Sequence, residues 1–216
     1  MTTGGMRTWM LEPRPLCNSL IELLPEEERM RAGRFVRPGD SDAFLACRLA
    51  LRCLLAHEIG VELRAVELTR GRWGKPGVGG TRDRGPDDFS ISHTDGLAVI
   101  ALSRRGRIGI DVELQRPVRD RQAIAAQVFG ERVAEELAAL PAADQERAFF
   151  CLWTAAEALV KATGTGFAGL SRPLPLSLSG RGTAQFHIVE ARSDGFGAWD
   201  IVPLMLPGRF VGTLAV

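Results

Sequence analysis

Lysine is nearly absent from this chain: of 27 Lys and Arg residues, only Lys75 and Lys161 are lysine. A compact ammonium does a different job from a planar guanidinium, so the two lysines mark segments that need a reading of their own. Net charge is nearly absent too, at +1 over 216 residues. That argues against a non-specific nucleic-acid binder, which is usually basic. No pair among Cys17, Cys47, Cys53 and Cys151 has C-x-x-C spacing, which argues against a zinc site. With no signal peptide in view, the four read as buried thiols in a reducing cytoplasm. There is no apolar run of membrane-spanning length, no repeat and no low-complexity tail. What remains, 45% hydrophobic and 25% charged, is a globular composition with enough length for a good core, as one domain or two compact halves.

Taken in order, residues 1–24 predict an edge strand and a short helix. Pro25-Glu26-Glu27-Glu28 opens a helix well, with proline at the first turn and acids at the positive end of the dipole; it is expected to run to about Phe35. Gly39-Asp40-Ser41 is expected to cap a helix over 42–58. On it Arg48 and Arg52 share a face, expected to be solvated. Val61 to Arg72 reads as a strand, Trp73-Gly74-Lys75-Pro76-Gly77 as a turn, and Phe89-Ser90-Ile91-Ser92-His93 as a strand ending in a polar pair. Leu97 to Leu102 reads as a buried strand, joined through an Arg104-Arg105-Gly106 hairpin to a partner over 107–113. Helices dominate from 120 to 163. Short strands follow, with turns at Gly180-Arg181-Gly182 and Ser193-Asp194-Gly195. The fold class is α+β, in halves of 1–106 and 107–216.

Three acids carry the chemistry. In Gly109-Ile110-Asp111-Val112-Glu113, alternation places Asp111 and Glu113 on one strand face, where they repel each other unless a hard cation sits between them. An acidic, half-exposed strand is the ordinary alternative. Glu157 stands in Trp153-x-x-x-Glu157-x-x-x-Lys161, spaced four and four along one helix face. A solvated Glu–Lys pair is common, but Phe149, Phe150, Leu152, Leu159 and Val160 make this helix a buried one, where such a pair usually lines a cleft. Ser92 and His93, before Thr94-Asp95-Gly96, are placed to donate hydrogen bonds to an anion. They are not a hydrolase pair, because neighbours on a strand point to opposite faces. His57 and His187 read as structural.

Together, Gly74-Lys75-Pro76, Phe89 to His93, Ile108 to Glu113 and Trp153 to Lys161 resemble the Sfp-type 4′-phosphopantetheinyl transferases in order and spacing, from Phe35 to Phe167. The resemblance implies a pseudo-dimer of two α/β halves with coenzyme A in a cleft between them and Mg²⁺ on its pyrophosphate. It implies Asp111, Glu113 and Glu157 as metal-binding acids, and Lys161 on the pyrophosphate. Ser92 and His93 would contact the phosphates and Lys75 the adenine side. Arg31 would meet the 3′-phosphate, with Arg48 and Arg70 as weaker candidates. Asp111, Glu157 and Lys161 would be catalytic, and the partner an apo acyl or peptidyl carrier protein. A monomer in the cytoplasm is expected, with no nucleic-acid or membrane partner. Arg116, Arg119, Arg121 and Arg132 are expected to receive the acidic carrier. Two positions depart from the family pattern. Ala156 stands where a lysine is usual, and Val133 where a glutamate is frequent. These favour the competing reading, a coenzyme A-binding relative without transferase activity.

Overall fold

The computed structural model describes residues 5–79, 85–167 and 199–216, and also residues 2, 3, 173, 174, 176, 178, 179, 187 and 188. The turns expected at Gly180 to Gly182 and Ser193 to Gly195, and the side chain of His187, lie outside the described residues. The chain divides into two compact units, Met1–Arg107 and Ile108–Val216.

In the first unit, strands β1 (Thr2–Thr3) and β2 (Met6–Leu11) are followed by helices α1 (Asn18–Ile21), α2 (Glu26–Ala32) and α3 (Pro38–Ile59). Then come a 3₁₀ turn at Leu63–Ala65 and strands β3 (Leu68–Arg70), β4 (Pro76–Val78), β5 (Asp88–Thr94) and β6 (Leu97–Ser103). The main sheet has the order β1-β2-β6-β5. β6 lies between two partners and all seven of its residues are buried, which is why it is an unbroken apolar run rather than an alternating one. Leu51, Leu55 and Ile59 of α3 pack with Val66, Phe89, Ile100 and Leu102 in the core.

Several element boundaries differ from expectation. α2 stops at Ala32, with Gly33 as its C-cap, short of Phe35. α3 starts earlier than expected: Pro38 takes the first turn, and Gly39-Asp40-Ser41 lies inside the helix. Proline needs no N–H there, and that outweighed the capping signal of Asp40 and Ser41. The expected strand from Val61 to Arg72 shortens to β3, which pairs with β4 around the 71–75 turn. Cys17 and Cys53 are exposed, Cys151 is partly buried, and only Cys47 is fully buried.

The second unit holds β7 (Gly109–Leu114), α4 (Arg121–Phe129), α5 (Glu131–Ala138), α6 (Ala142–Thr163), β8 (Leu178–Ser179), β9 (His187–Ile188), β10 (Ile201–Pro203) and β11 (Phe210–Ala215). The expected β6–β7 hairpin does not form. β6 pairs with β2 and β5, while β7 pairs with β11, Asp111 facing Thr213 and Glu113 facing Val211. α6 lies against β7 and β11 at very short range. A Cβ on Gly109 would stand 1.8 Å from the carbonyl oxygen of Ala158, so only glycine fits there. Ala158, Ala162 and Ala215 continue this small-residue seam, and Thr154 and Thr213 join hydroxyls across it at 2.8 Å. α6 ends at Gly164 in the left-handed region, φ 70°, a conformation that glycine adopts without strain. Among the described residues, no helix is long and apolar enough to cross a membrane.

Candidate active site

The acids of the second unit are placed by the α6–β7 seam. Asp111 is 4% exposed, so β7 is not the half-exposed acidic strand of the ordinary alternative. Lys161, in the last turn of α6 before Gly164, reaches across the seam. Its ammonium donates to Asp111 Oδ1 at 2.6 Å and to the Ile110 carbonyl at 3.3 Å. Lys161 therefore bonds to the strand rather than only pairing along its own helix. Burial pushes the Glu113 carboxyl above its ordinary value and the charge of Asp111 adds to this, while Arg116, Lys161 and a hydrogen bond from Trp153 draw it back. Glu157 is raised too, first by burial and then by Asp111 and Glu113, against the pull of Lys161. All three carboxylates thus lie within electrostatic reach of one another.

Trp153 has a part that its spacing alone did not reveal. Its ring stacks between Phe149 and Phe167, at 6.2 and 5.5 Å between centroids, and its indole N–H, which can only donate, favours the ionised form of the nearby Glu113 carboxyl. Among the described residues, no group of three His, Cys, Asp or Glu side chains is arranged ready to grip a metal. The donor chemistry nonetheless suits a hard divalent cation. Carboxylate oxygens are what Mg²⁺ takes, and Glu113 and Glu157, each raised by burial and by the charge of Asp111, stand to gain from one.

Ala156 and Val133 have a physical explanation. Both are buried in the core of this unit, at 0% and 2% exposure, with Phe129, Leu137, Leu152 and Leu159. Position 156 therefore lies off the helix face that carries Trp153, Glu157 and Lys161. Among the four arginines expected to receive a partner, Arg121 donates to Gln145 at 2.7 Å and Arg132 pairs with Glu136. Arg116 and Arg119 are exposed.

In the first unit, a pocket of about 260 Å³ gathers Arg31, Arg48, Arg70 and His93 with Phe44 at its side. The Arg31 guanidinium lies over the Phe44 ring, 5.0 Å from its centroid. Burial lowers the Arg31 pKa, and the charges of Arg70 and Arg48 lower it further. These cations crowd one another, so an anion among them would be favourable. His93 lines this pocket with Ile91, one strand repeat away. Ser92 is buried between them in sequence and points to the other face of β5. The turn offers Gly74 and Pro76 to the pocket, while the Lys75 ammonium meets the Asp88 carboxylate. Burial lowers the Lys75 pKa, and Asp88 partly offsets this.

The arginine face of α3 is not solvated as expected. Arg52 is 4% exposed and, with Arg48, it binds Glu28. In sequence Glu28 shows only as a helix-start acid, because a Pro-Glu-Glu-Glu start explains it without any partner.

Comparison with known proteins agrees with the arrangement of these motifs. The family model for the N-terminal part of 4′-phosphopantetheinyl transferase matches residues 8–105. The model for the 4′-phosphopantetheinyl transferase superfamily matches residues 107–203. The chain is 32% identical over 205 residues to the 4′-phosphopantetheinyl transferase HetI of Nostoc sp., covering 95% of this chain and 83% of that one.

The chain belongs to the 4′-phosphopantetheinyl transferase superfamily.

Two other relatives bracket the likeness. One is a protein of Synechocystis sp. provisionally assigned the same activity. It is 36% identical over 163 residues, which are 75% of this chain and 66%, just under two thirds, of the relative. The other is the L-aminoadipate-semialdehyde dehydrogenase-phosphopantetheinyl transferase of Rattus norvegicus. It is 33% identical over 107 residues, 49% of this chain and 34% of the relative. In this phosphopantetheinyl transferase chain, as in the family models, an N-terminal part is followed by the part that carries the acids, and the fold is α+β.

Proposed function

We propose that the protein transfers 4′-phosphopantetheine from coenzyme A to a serine hydroxyl of an apo acyl or peptidyl carrier protein, in a Mg²⁺-dependent reaction. The observation that carries this reading is Lys161 on Asp111, next to Glu113 and Glu157, in a chain of this family. The serine oxygen forms a bond to the β-phosphorus of coenzyme A. The phosphoanhydride bond breaks, adenosine 3′,5′-bisphosphate leaves, and the serine proton passes to a base.

Glu157, or a water beside it, would take the serine proton; burial and its acidic neighbours raise the Glu157 pKa. Lys161, with three donors, turns from Asp111 toward the diphosphate and stabilises the charge that grows on the leaving oxygen. Asp111, Glu113 and Glu157 would hold Mg²⁺, which when bound supplies positive charge to the diphosphate. In the first unit, Arg31, Arg48, Arg70 and His93 suit the 3′-phosphate and Phe44 the adenine ring. Ser92 and Lys75 act less directly, through the strand and the turn that bear them. The Rattus relative's name couples the transferase with L-aminoadipate-semialdehyde dehydrogenase, and we extend the proposal to carrier domains within larger enzymes as well as free carrier proteins. The reading includes a cytoplasmic monomer with neither nucleic acid nor membrane as partner.

The test is direct. The protein is incubated with coenzyme A, Mg²⁺ and several apo carriers, and each carrier is weighed. A gain of one phosphopantetheine on the carrier serine is expected. Coenzyme A binding with no gain on any carrier would favour the non-transferring relative instead.

A further inference from the structure

Glu28 is 7% exposed and sits at the meeting of α2 and α3. Its Oε1 accepts from Arg48 Nε at 2.8 Å and from Arg52 Nη2 at 3.2 Å, and its Oε2 accepts from Arg52 Nε at 3.0 Å. Arg52 also donates through Nη1 to the Val66 carbonyl at 2.7 Å. A buried carboxylate needs cationic partners to offset its desolvation, and Arg52, held at both ends of its fork, supplies one. The second guanidinium needs another explanation. Arg48 lines the pocket, gives its Nε and Nη2 to Glu28, and lies 6.0 Å from the Phe44 ring centroid. Two of its donors on one acid and a ring at its side leave a guanidinium little freedom to turn. A loose arginine would have to surrender that freedom when a phosphate arrived.

We propose that Glu28 is a positioning residue of this pocket: it pre-orients Arg48 so that Arg48 acts with Arg31 and Arg70 on the 3′-phosphate of coenzyme A. This rests on the proposed use of coenzyme A. Glu28 also places a negative charge between Arg48 and Arg52, without which the cationic wall of the pocket would repel itself. The carboxylate raises the pKa of nearby Arg31 while Arg70 and Arg48 lower it, so its charge is felt across the pocket.

The experiment compares coenzyme A with 3′-dephospho-coenzyme A as co-substrate for one apo carrier. Wild-type protein should have the lower KM for coenzyme A. In Glu28→Gln, the KM for coenzyme A should rise about tenfold, the range of one charge-assisted hydrogen bond. The KM for the dephospho compound and both kcat values should move less than about twofold on the same argument. Arg48→Met should give the same split, and the double variant should be no worse than Arg48→Met alone. If Glu28→Gln does not fold, Glu28→Asp carries the test. It keeps the charge but is a methylene too short to reach both guanidinia, and should show a smaller rise confined to coenzyme A. A wild-type protein indifferent to the 3′-phosphate would overturn the pocket assignment, and this inference with it. A wild-type preference that survives undiminished in both Glu28 variants, or equal losses for the two co-substrates, would overturn the inference alone and leave Glu28 a residue of the fold.

Discussion

Each unit buries carboxylates, and Glu28 of the first is shifted in the opposite direction from Glu113 and Glu157 of the second. Burial pushes Glu28 up, but hydrogen bonds from Arg52 and Arg48, and their charges, bring it below its ordinary value. Burial also pushes Glu113 and Glu157 up, and there the neighbouring acids push the same way. Desolvation has the same sign in both places, so it does not separate them. The number of cations for each acid does. Glu28 has two guanidinia to itself, whereas Asp111, Glu113 and Glu157 share the ammonium of Lys161, and at Glu113 the pull of Arg116 is the larger. The first unit is left with surplus positive charge and suits an anion; the second, with surplus negative charge, suits a cation.

The largest expected effect comes from breaking the second set. Asp111→Ala should lower kcat/KM for the carrier by about a hundredfold or more, the several kcal/mol of a cation site at the reacting phosphate. The fold should survive, because Lys161, with 27% of its side chain exposed, can be hydrated once its partner is gone. A circular-dichroism melt without metal, beside steady-state kinetics, checks both halves. Near-normal turnover at saturating Mg²⁺ would remove Asp111 from the reaction.

A subtler change keeps the charge count and alters only its shape. Lys161→Arg should lower kcat about tenfold, with a smaller change in the KM for coenzyme A, because the guanidinium fork is too broad for a place between Asp111 and the Ile110 carbonyl. Unchanged kcat would make Lys161 a purely electrostatic neighbour. On the outer surface, charge reversal at Arg116 and Arg119 should raise the carrier KM several-fold and flatten its dependence on salt; at Arg119 the KM for coenzyme A should not move, whereas Arg116 is tied to Glu113 at 3.4 Å. Equal losses for both substrates would place these arginines against the nucleotide.

The smallest effect sharpens the comparison itself. Glu28 has a depressed folded-state pKa, so its contribution to stability is present above the unfolded value and is lost as pH falls through the folded one. Glu157 has a raised folded-state pKa. It therefore costs stability at neutral pH, and that cost shrinks as pH falls and the group takes up a proton. Glu28→Gln should accordingly lower Tm at pH 7, and the deficit should narrow in acid. Glu157→Gln should raise Tm at pH 7 by about 1–3 °C, with the gain fading below the pKa of the native carboxyl. Thermal melts of both variants across pH would settle it, and two profiles of the same sign would sink the comparison.

The sequence exposed those features whose cause is local. A spacing of four placed Trp153, Glu157 and Lys161 on one face because helix geometry alone decides it. An apolar run without alternation marked β6 as buried because both of its faces are covered. Features whose cause lies far along the chain stayed hidden. β7 pairs with β11, whose Ala215 faces Gly109, and nothing in Gly109 to Leu114 names a partner so distant. The nearer Arg104-Arg105-Gly106 turn made a hairpin look sufficient. Glu28 meets Arg48 and Arg52 across two helices, and an arginine four residues from another reads as solvated until the acid between them is seen. Ala156 looked like a missing cation only while its side of α6 was unknown.

Gly109 carries a consequence for how such a protein can change over time. It has no side chain to offer any chemistry, yet any added methyl would press on the backbone of α6 at Ala158 and Ala162. The helix would then have to withdraw from the strand, taking Glu157 and Lys161 away from Asp111 together. A later substitution at one of those three could not bring the helix back. For a drifting lineage, a single codon outside the chemistry is thus closed to variation, while exposed positions such as Arg119 are far freer to change than this one silent glycine.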